Sequence, residues 1–158
     1  MQKTAVPPVR KSVRVSAAPQ RAFELFTAGM HQWWPRAHSL NPKVERAAVV
    51  AEPRPGGRWF ERGVDGSECD WGHVLIWEPP HRVIFAWQLD QNWQFNRDFS
   101  TEVEIRFEST DGENTQVTLE HRNLERYGTH VEKVRAGLDS AEGWMGGLQL
   151  FARAAAAP

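Results

Sequence analysis

Six histidines, one cysteine and eight tryptophans are the side chains of this 158-residue sequence with chemistry beyond packing, so their spacing is the first question. His121 shares the parity of Val117 and Leu119, while Gln116, Thr118, Glu120 and Arg122 take the opposite face. It therefore points to the covered side of a strand. There it is either a core histidine bonded to a neighbouring backbone group or carboxylate, or a pocket histidine. In a pocket it would orient a ligand's polar group or act as a general acid or base. His73 lies between Gly72 and Val74, and a bulge near Trp77 would decide whether it lines the same space. No paired acid and base emerges from the spacing, so no catalytic residue is assigned and His121 stands as the candidate.

The other reactive side chains point elsewhere. His31 and His38 flank Trp33, Trp34 and Pro35 without an HExxH pattern or a cysteine cluster, so no metal site is expected. Cys69 sits between Glu68 and Asp70, whose charges disfavour the thiolate a nucleophile needs. Gly56–Gly57 lacks the GxxxxGK[ST] pattern and opens a strand, which marks a turn and not a phosphate loop. No GxSxG elbow occurs.

The elements that position these residues follow from periodicity. Val9–Val15 reads as a first strand, after residues 1–8 as a loose leader. Pro19 suits the first turn of a helix carrying Ala22, Phe23, Leu25 and Phe26 on one face, with Gly29 as its stop. Strands are expected over 43–52, 58–62, 68–77 and 83–89, the second and third joined at Asp65–Gly66. In 101–108 the odd positions are Thr, Val, Ile and Phe against charged even ones, and 116–122 alternates likewise. These are half-buried antiparallel strands with one covered face. Thr129-x-x-Glu132 and Asp139-x-x-Glu142 fit capping boxes. The second is expected to open a long final helix with Trp144, Leu148, Phe151 and Ala155 in one stripe. The order predicts an α+β single domain over 9–155, a curved antiparallel sheet of about six to seven strands wrapped round the C-terminal helix.

Side chains of sheet and final helix meet only in the space between them. Trp59 or Phe60, Trp71, Phe85, Trp87, Trp144 and Leu148 are accordingly the expected walls of a ligand site, with His73 and His121 as polar members and Trp34 near the mouth. The alternative is a filled core. Gly143, Gly146 and Gly147 remove side chains where sheet and helix face each other, which favours a cavity, although close packing would also explain them. Asp90–Asn96, polar with one Trp93 and one Phe95, reads as a long loop beside the entrance, a solvated connection ahead of a gate.

Composition narrows the classes. Apolar residues at 41% and charged residues at 25% are ordinary globular usage, which excludes a disordered, collagenous or coiled-coil chain. Nineteen Lys and Arg against twenty Asp and Glu give a net charge of −1, without the basic surplus that nucleic acid or an anionic membrane surface would require. No apolar run is long enough to span a bilayer, the amino terminus is not a secretory signal, and a cytoplasmic location is expected.

EPRPGGRWFE (52–61), WGHVLIWEPPHRVIFAW (71–87), TEVEIRF (101–107), VTLEHRNLERYG (117–128) and GWMGGLQLFA (143–152), in that order, resemble the START/SRPBCC superfamily. Within it the sequence is similar to bacterial homologues of the ATPase activator of the ninety-kilodalton heat-shock protein. The resemblance implies a helix-grip fold with a deep apolar cavity that binds a hydrophobic small molecule non-covalently, without a cofactor. It implies two alternatives as well: an activator-like interaction protein, and a polyketide cyclase or dehydratase-like enzyme using the same cavity. A binder is expected ahead of an enzyme. A chaperone or a second copy of the chain are the protein partners left open.

Overall fold

Alternation along the chain builds the sheet. From Thr101 to Ser109 the apolar Val103, Ile105 and Phe107 turn to one face, and from Thr115 to Arg122 so do Val117, Leu119 and His121. The computed structural model describes residues 6–157. Its strands are β1 (Val9–Val15), β2 (Arg46–Ala51), β3 (Arg58–Gly63), β4 (Glu68–Glu78), β5 (Arg82–Trp87), β6 (Thr101–Ser109) and β7 (Thr115–Arg122). They form one seven-stranded sheet in the order β1-β7-β6-β5-β4-β3-β2, antiparallel throughout. The sheet curls into a half-barrel against α1 (Pro19–Phe26), α2 (Val131–Asp139) and α3 (Trp144–Ala156). This is the expected α+β helix-grip architecture. Residues 1–5 of the expected leader lie outside the described residues. The Arg135 guanidinium donates to the carbonyls of Pro7 and Pro8.

Two bulges in β4 decide which of its side chains enter the interior. Trp59 pairs with Gly72 but Phe60 pairs with Asp70, so Trp71 is the extra residue. A second shift between Val74 and Ile76 leaves Leu75 unpaired and exposed. Trp71, Val74 and Trp77 consequently all reach the core, a spacing that strict alternation forbids. A Cβ on Gly72 would collide with the Ala86 carbonyl oxygen, so glycine is required for β4 and β5 to approach there.

The helices cover the inner face. Pro19 opens α1, and Phe23 and Phe26 pack edge-on against Phe107 at 5.2 and 5.8 Å between ring centroids. The helix stops at Phe26, ahead of Gly29, where Thr27 Oγ1 turns back to the Phe23 carbonyl at 2.7 Å. The stripe Trp144, Leu148, Phe151 and Ala155 is buried as expected. Neither expected capping box forms. α2 starts at Val131 after His130, and α3 starts at Trp144 after Gly143, each without a side-chain cap. Asp139 closes α2 instead, because its carboxylate is drawn to Lys11 on β1 at 2.7 Å.

The outer face is a salt-bridged lattice centred on Glu104. Its carboxylate meets Arg122 at 2.9 Å and both Arg82 and Arg106 at 3.2 Å. Burial alone would raise this carboxyl, but hydrogen bonds from Arg122 and Arg82 outweigh burial and hold it below the usual glutamate value. A carboxyl depressed in the folded state contributes stability that is complete above the unfolded value and lost as pH falls through the folded one. The Glu104→Gln variant is therefore expected to lose about 1–2 kcal/mol at neutral pH, limited by solvent screening of the partly exposed arginines. Its unfolding free energy should also fall less on acidification than that of the wild type. Urea denaturation across pH checks both; equal stability at neutral pH would contradict the central role of Glu104.

Candidate ligand cavity

A cavity of about 340 Å³ opens at one end of the grip, where the sheet, the segment after α1 and the α2–α3 corner meet. Trp87 at the end of β5 and Leu89 just beyond it form one wall, with Asp90, Gln91 and Trp93 of the following loop. Trp33, Trp34, Pro35 and His38 form the second. Val134, Leu138, Gly143, Trp144 and Gly147 close the third, and Tyr127 joins them. Lys133, Ser140 and Glu142 also line it. Gly147 belongs to this wall because it has no side chain. A Cβ there would still meet only Pro35 and Trp33, at 3.8–3.9 Å.

The expected site residues divide into three groups. Trp34, Trp87 and Trp144 line the cavity. Trp71, Phe85, Leu148 and His121 lie behind its wall in the packed interior, where Trp59 and Phe85 approach to 4.6 Å and Trp71 and Trp87 to 5.4 Å between ring centroids. Phe60 and His73 face the other side of the sheet. Phe60 lies beneath the guanidinium of Arg58, 4.0 Å from its ring centroid, because Trp59 takes the inward position. His73 pairs with the outward Ala86, and its Nδ1 bonds to Gln88 Oε1 at 2.7 Å. The expected space along the whole sheet–helix interface is thus largely filled with rings, and the opening is displaced to its end.

Buried indoles need acceptors for their N–H groups, and most of them find one within the fold. Trp33 donates to the Leu25 carbonyl at 3.0 Å, Trp59 to Met30 Sδ at 3.2 Å and Trp71 to Glu61 Oε1 at 3.1 Å. Trp144 donates to His121 Nδ1 at 3.0 Å. That bond fixes the histidine tautomer. Nδ1 must be bare, so Nε2 carries the proton and donates to Thr101 Oγ1 at 2.7 Å. Both nitrogens are occupied by protein groups, which leaves His121 no free position for a ligand. Burial pushes its pKa down to about 3, so it is neutral. The Nε1–H of Trp34, in contrast, is buried without a partner among the described residues.

The segment carrying Trp34 is held from below. Arg46 on β2 donates to the carbonyls of Trp34 and Pro35 at 2.6 and 3.1 Å. Glu61 on β3 accepts from Ser39 Oγ and Leu40 N–H, both at 2.7 Å, besides Trp71. Burial lowers the Arg46 pKa and nearby Glu61 works the other way. Tyr127 donates to the Leu89 carbonyl at 2.8 Å, and burial pushes its phenol up to about 12. Sequence reasoning missed Tyr127, which had no periodic signal, and did not include Trp93 among the site residues, although its loop was expected beside the entrance. Cys69 lies apart from the cavity, its thiol raised by burial and by Glu61, Asp70 and Asp65. Among the described residues no group of three His, Cys, Asp or Glu side chains could hold a metal ion.

A family model described as "Activator of Hsp90 ATPase homolog 1-like protein" matches residues 16–153. The chain belongs to the AHSA1 family. Among solved structures, this AHSA1-family chain is similar to Txn09, an anthrahydroquino-gamma-pyrone synthase complexed with SUM. The identity is 39%, over 94% of this chain and 97% of that one, with a TM-score of 0.65. It is similar as well to CalC from Micromonospora echinospora, a self-sacrificing resistance protein, at 32% identity, 94% and 93% coverage and a TM-score of 0.66. CalU16 from the same organism, at 20% identity, 94% and 76% coverage and a TM-score of 0.56, shows the fold alone. No curated protein matches the chain. Among the described residues no helix is long and apolar enough to cross a membrane.

His121→Leu is expected to orphan the Trp144 N–H and the Thr101 hydroxyl, at about 1–3 kcal/mol for each buried group. A histidine whose value falls from 6.5 to about 3 on folding leaves the unfolded state binding the extra proton below 6.5. Wild-type stability should therefore be complete above that pH and decline by about 1.4 kcal/mol per pH unit beneath it. The variant should lack this increment, and a slope equal to the wild type's would show that His121 is protonated in the fold.

Proposed function

We propose that this AHSA1-family chain binds a flat, polycyclic aromatic small molecule non-covalently in the cavity. The observation that carries the reading is the cavity wall itself. It is built from Trp34, Trp87, Trp93 and Trp144. Indole walls suit a flat aromatic guest through offset and edge-on ring contacts. A volume of about 340 Å³ lies at the small end of small-molecule sites and fits roughly three fused rings. Two relatives above 30% identity support a natural-product guest, one being an anthrahydroquino-gamma-pyrone synthase and the other a resistance protein.

The synthase at 39% identity favours a second reading, ring closure catalysed within the same cavity. Its titratable lining comprises His38, Asp90, Tyr127, Lys133 and Glu142, and His121 stands outside that set. A guest recovered with a changed absorption spectrum and retention time would favour catalysis, whether or not its mass changes, and recovery with both unaltered favours binding. The activator reading gains less support, because the outward side chains of β5 to β7 pair with one another in salt bridges.

Dihydroxyanthraquinone is the probe for the test. Titration should quench the intrinsic tryptophan fluorescence saturably. Gly147→Leu, which projects a side chain into the wall, should weaken binding at least about tenfold, equivalent to roughly 1.4 kcal/mol. Gly147→Ala should instead stabilise the fold by about 1 kcal/mol, because α3 gains helix propensity and the new methyl has ordinary contact distances. No saturable quenching, or equal affinity in Gly147→Leu, would reject the cavity as the site.

A further inference from the structure

Trp93 is an anomaly of backbone and exposure together. Its φ is +60°, in the left-handed region that glycine and asparagine favour and that a bulky aromatic rarely adopts. Its side chain does not repay this by joining the core, since the residue is 45% exposed. The loop around it is well anchored. Leu89 bridges to Phe95, Asn96 N–H donates to the Gln88 carbonyl, and the Gln88 side-chain amide donates to the Arg97 carbonyl. The tip is tied by Asp90, whose carboxylate accepts from Asn92 and Gln94 N–H at 2.8 and 3.1 Å and whose carbonyl accepts from Trp93 N–H at 3.1 Å. Strain held in place by its surroundings concentrates at ligand clamps and switch segments.

What the strained backbone achieves is the position of the indole. The ring meets Trp71 and Trp87 edge-on, each at 5.8 Å between centroids. It also lies parallel to the His38 ring, at 5.9 Å and an interplanar angle of 5°. His38 Nε2 bonds in turn to the Glu142 carbonyl at 2.9 Å. A carbonyl only accepts, so Nε2 carries the proton there. Trp93, His38 and the Glu142 backbone thus form a bar from the β5–β6 loop to the α2–α3 corner, across cavity-lining residues.

We infer that Trp93 is the specificity-determining residue of the cavity, a lid whose indole is held by its tied loop to cover a flat guest. The inference rests on the reading of the cavity as a site for a flat aromatic guest. A planar guest stacks against the closed ring and is retained, whereas a saturated guest of the same volume gains no such contact. Glycine at position 93 removes the lid and relaxes the backbone, so Trp93→Gly retains the fold without a lower Tm.

The experiment has two arms. With dihydroxyanthraquinone, Trp93→Gly should raise the dissociation rate at least about tenfold and Trp93→Phe should recover part of the loss. The wild type's preference for this probe over its fully saturated tricyclic counterpart should shrink. Unchanged dissociation in Trp93→Gly, or an undiminished preference, overturns the inference. The second arm needs no guest. Trp93 is itself open to solvent, so deleting a merely exposed indole would lower the acrylamide quenching constant of the protein. Deleting a lid should raise it, because Trp87 and Trp144 are uncovered. A lower constant overturns the inference. If the wild type fails to bind the probe, the polycyclic-guest reading falls by itself, and the quenching arm still decides whether Trp93 covers the cavity.

Discussion

An indole stacks against almost any apolar neighbour, but its N–H must find an acceptor, and that constraint organises the interior of this protein. Polar groups are brought inside to meet it. His121 accepts from Trp144 and Glu61 accepts from Trp71, while Met30 offers its sulfur to Trp59. Each acceptor is then tied to a further element, His121 to Thr101 on β6 and Glu61 to the segment around Leu40. The rings are consequently fixed in direction as well as in depth. Trp34 departs from this scheme, and it does so at the cavity.

The same network explains why space is left at one end of the grip. Along most of α3, large side chains fill the gap to the sheet: Leu148 and Phe151 face Phe26 and the strands. Near its start the helix carries Gly147, and the corner before it carries Gly143, where any Cβ would run into the Leu138 carbonyl. Small residues on this side face the fixed indoles of Trp34 and Trp87 on the other. Neither wall can relax inward, because Arg46 and Glu61 hold the Trp34 segment and the β5 ladder holds Trp87. Close-packed interiors ordinarily remove such voids. Here the backbone is braced around one.

Much of this was legible in the sequence. Period-two alternation in β6 and β7 is unambiguous, and the α3 stripe falls at helical spacing, so the sheet, its covered face and its partner helix could all be read. Trp87 and Trp144 were readable as residues near one space for the same reason, whereas Trp34 was placed at its mouth only by the amphipathic character of an indole. The rest was hidden by backbone irregularity. A bulge at Trp71 defeats any parity argument through β4, which is why His73 could not be placed, and the choice between Trp59 and Phe60 is set by the pairing of β3 with Val49 and Ala51 of β2. Asp139 and Thr129 carried the correct residue types for caps but lost to competing geometry, Asp139 to an ion pair with Lys11. The tautomer of His121 and the left-handed backbone of Trp93 are tertiary outcomes that local pattern does not encode.

The extra residue at Trp71 also bears on how such a scaffold can diversify. Deleting it would restore a regular ladder, with Asp70 outward opposite Phe60 and Gly72 inward opposite Trp59, but would take an indole and its bond to Glu61 out of the ring-packed interior. The extra residue is consequently kept for its side chain and not for the ladder, while the connections at 33–40 and 90–97 can lengthen, shorten or change composition without disturbing the strands. Descendants of this chain would acquire new chemical tastes by editing those two connections, with the strands inherited residue for residue.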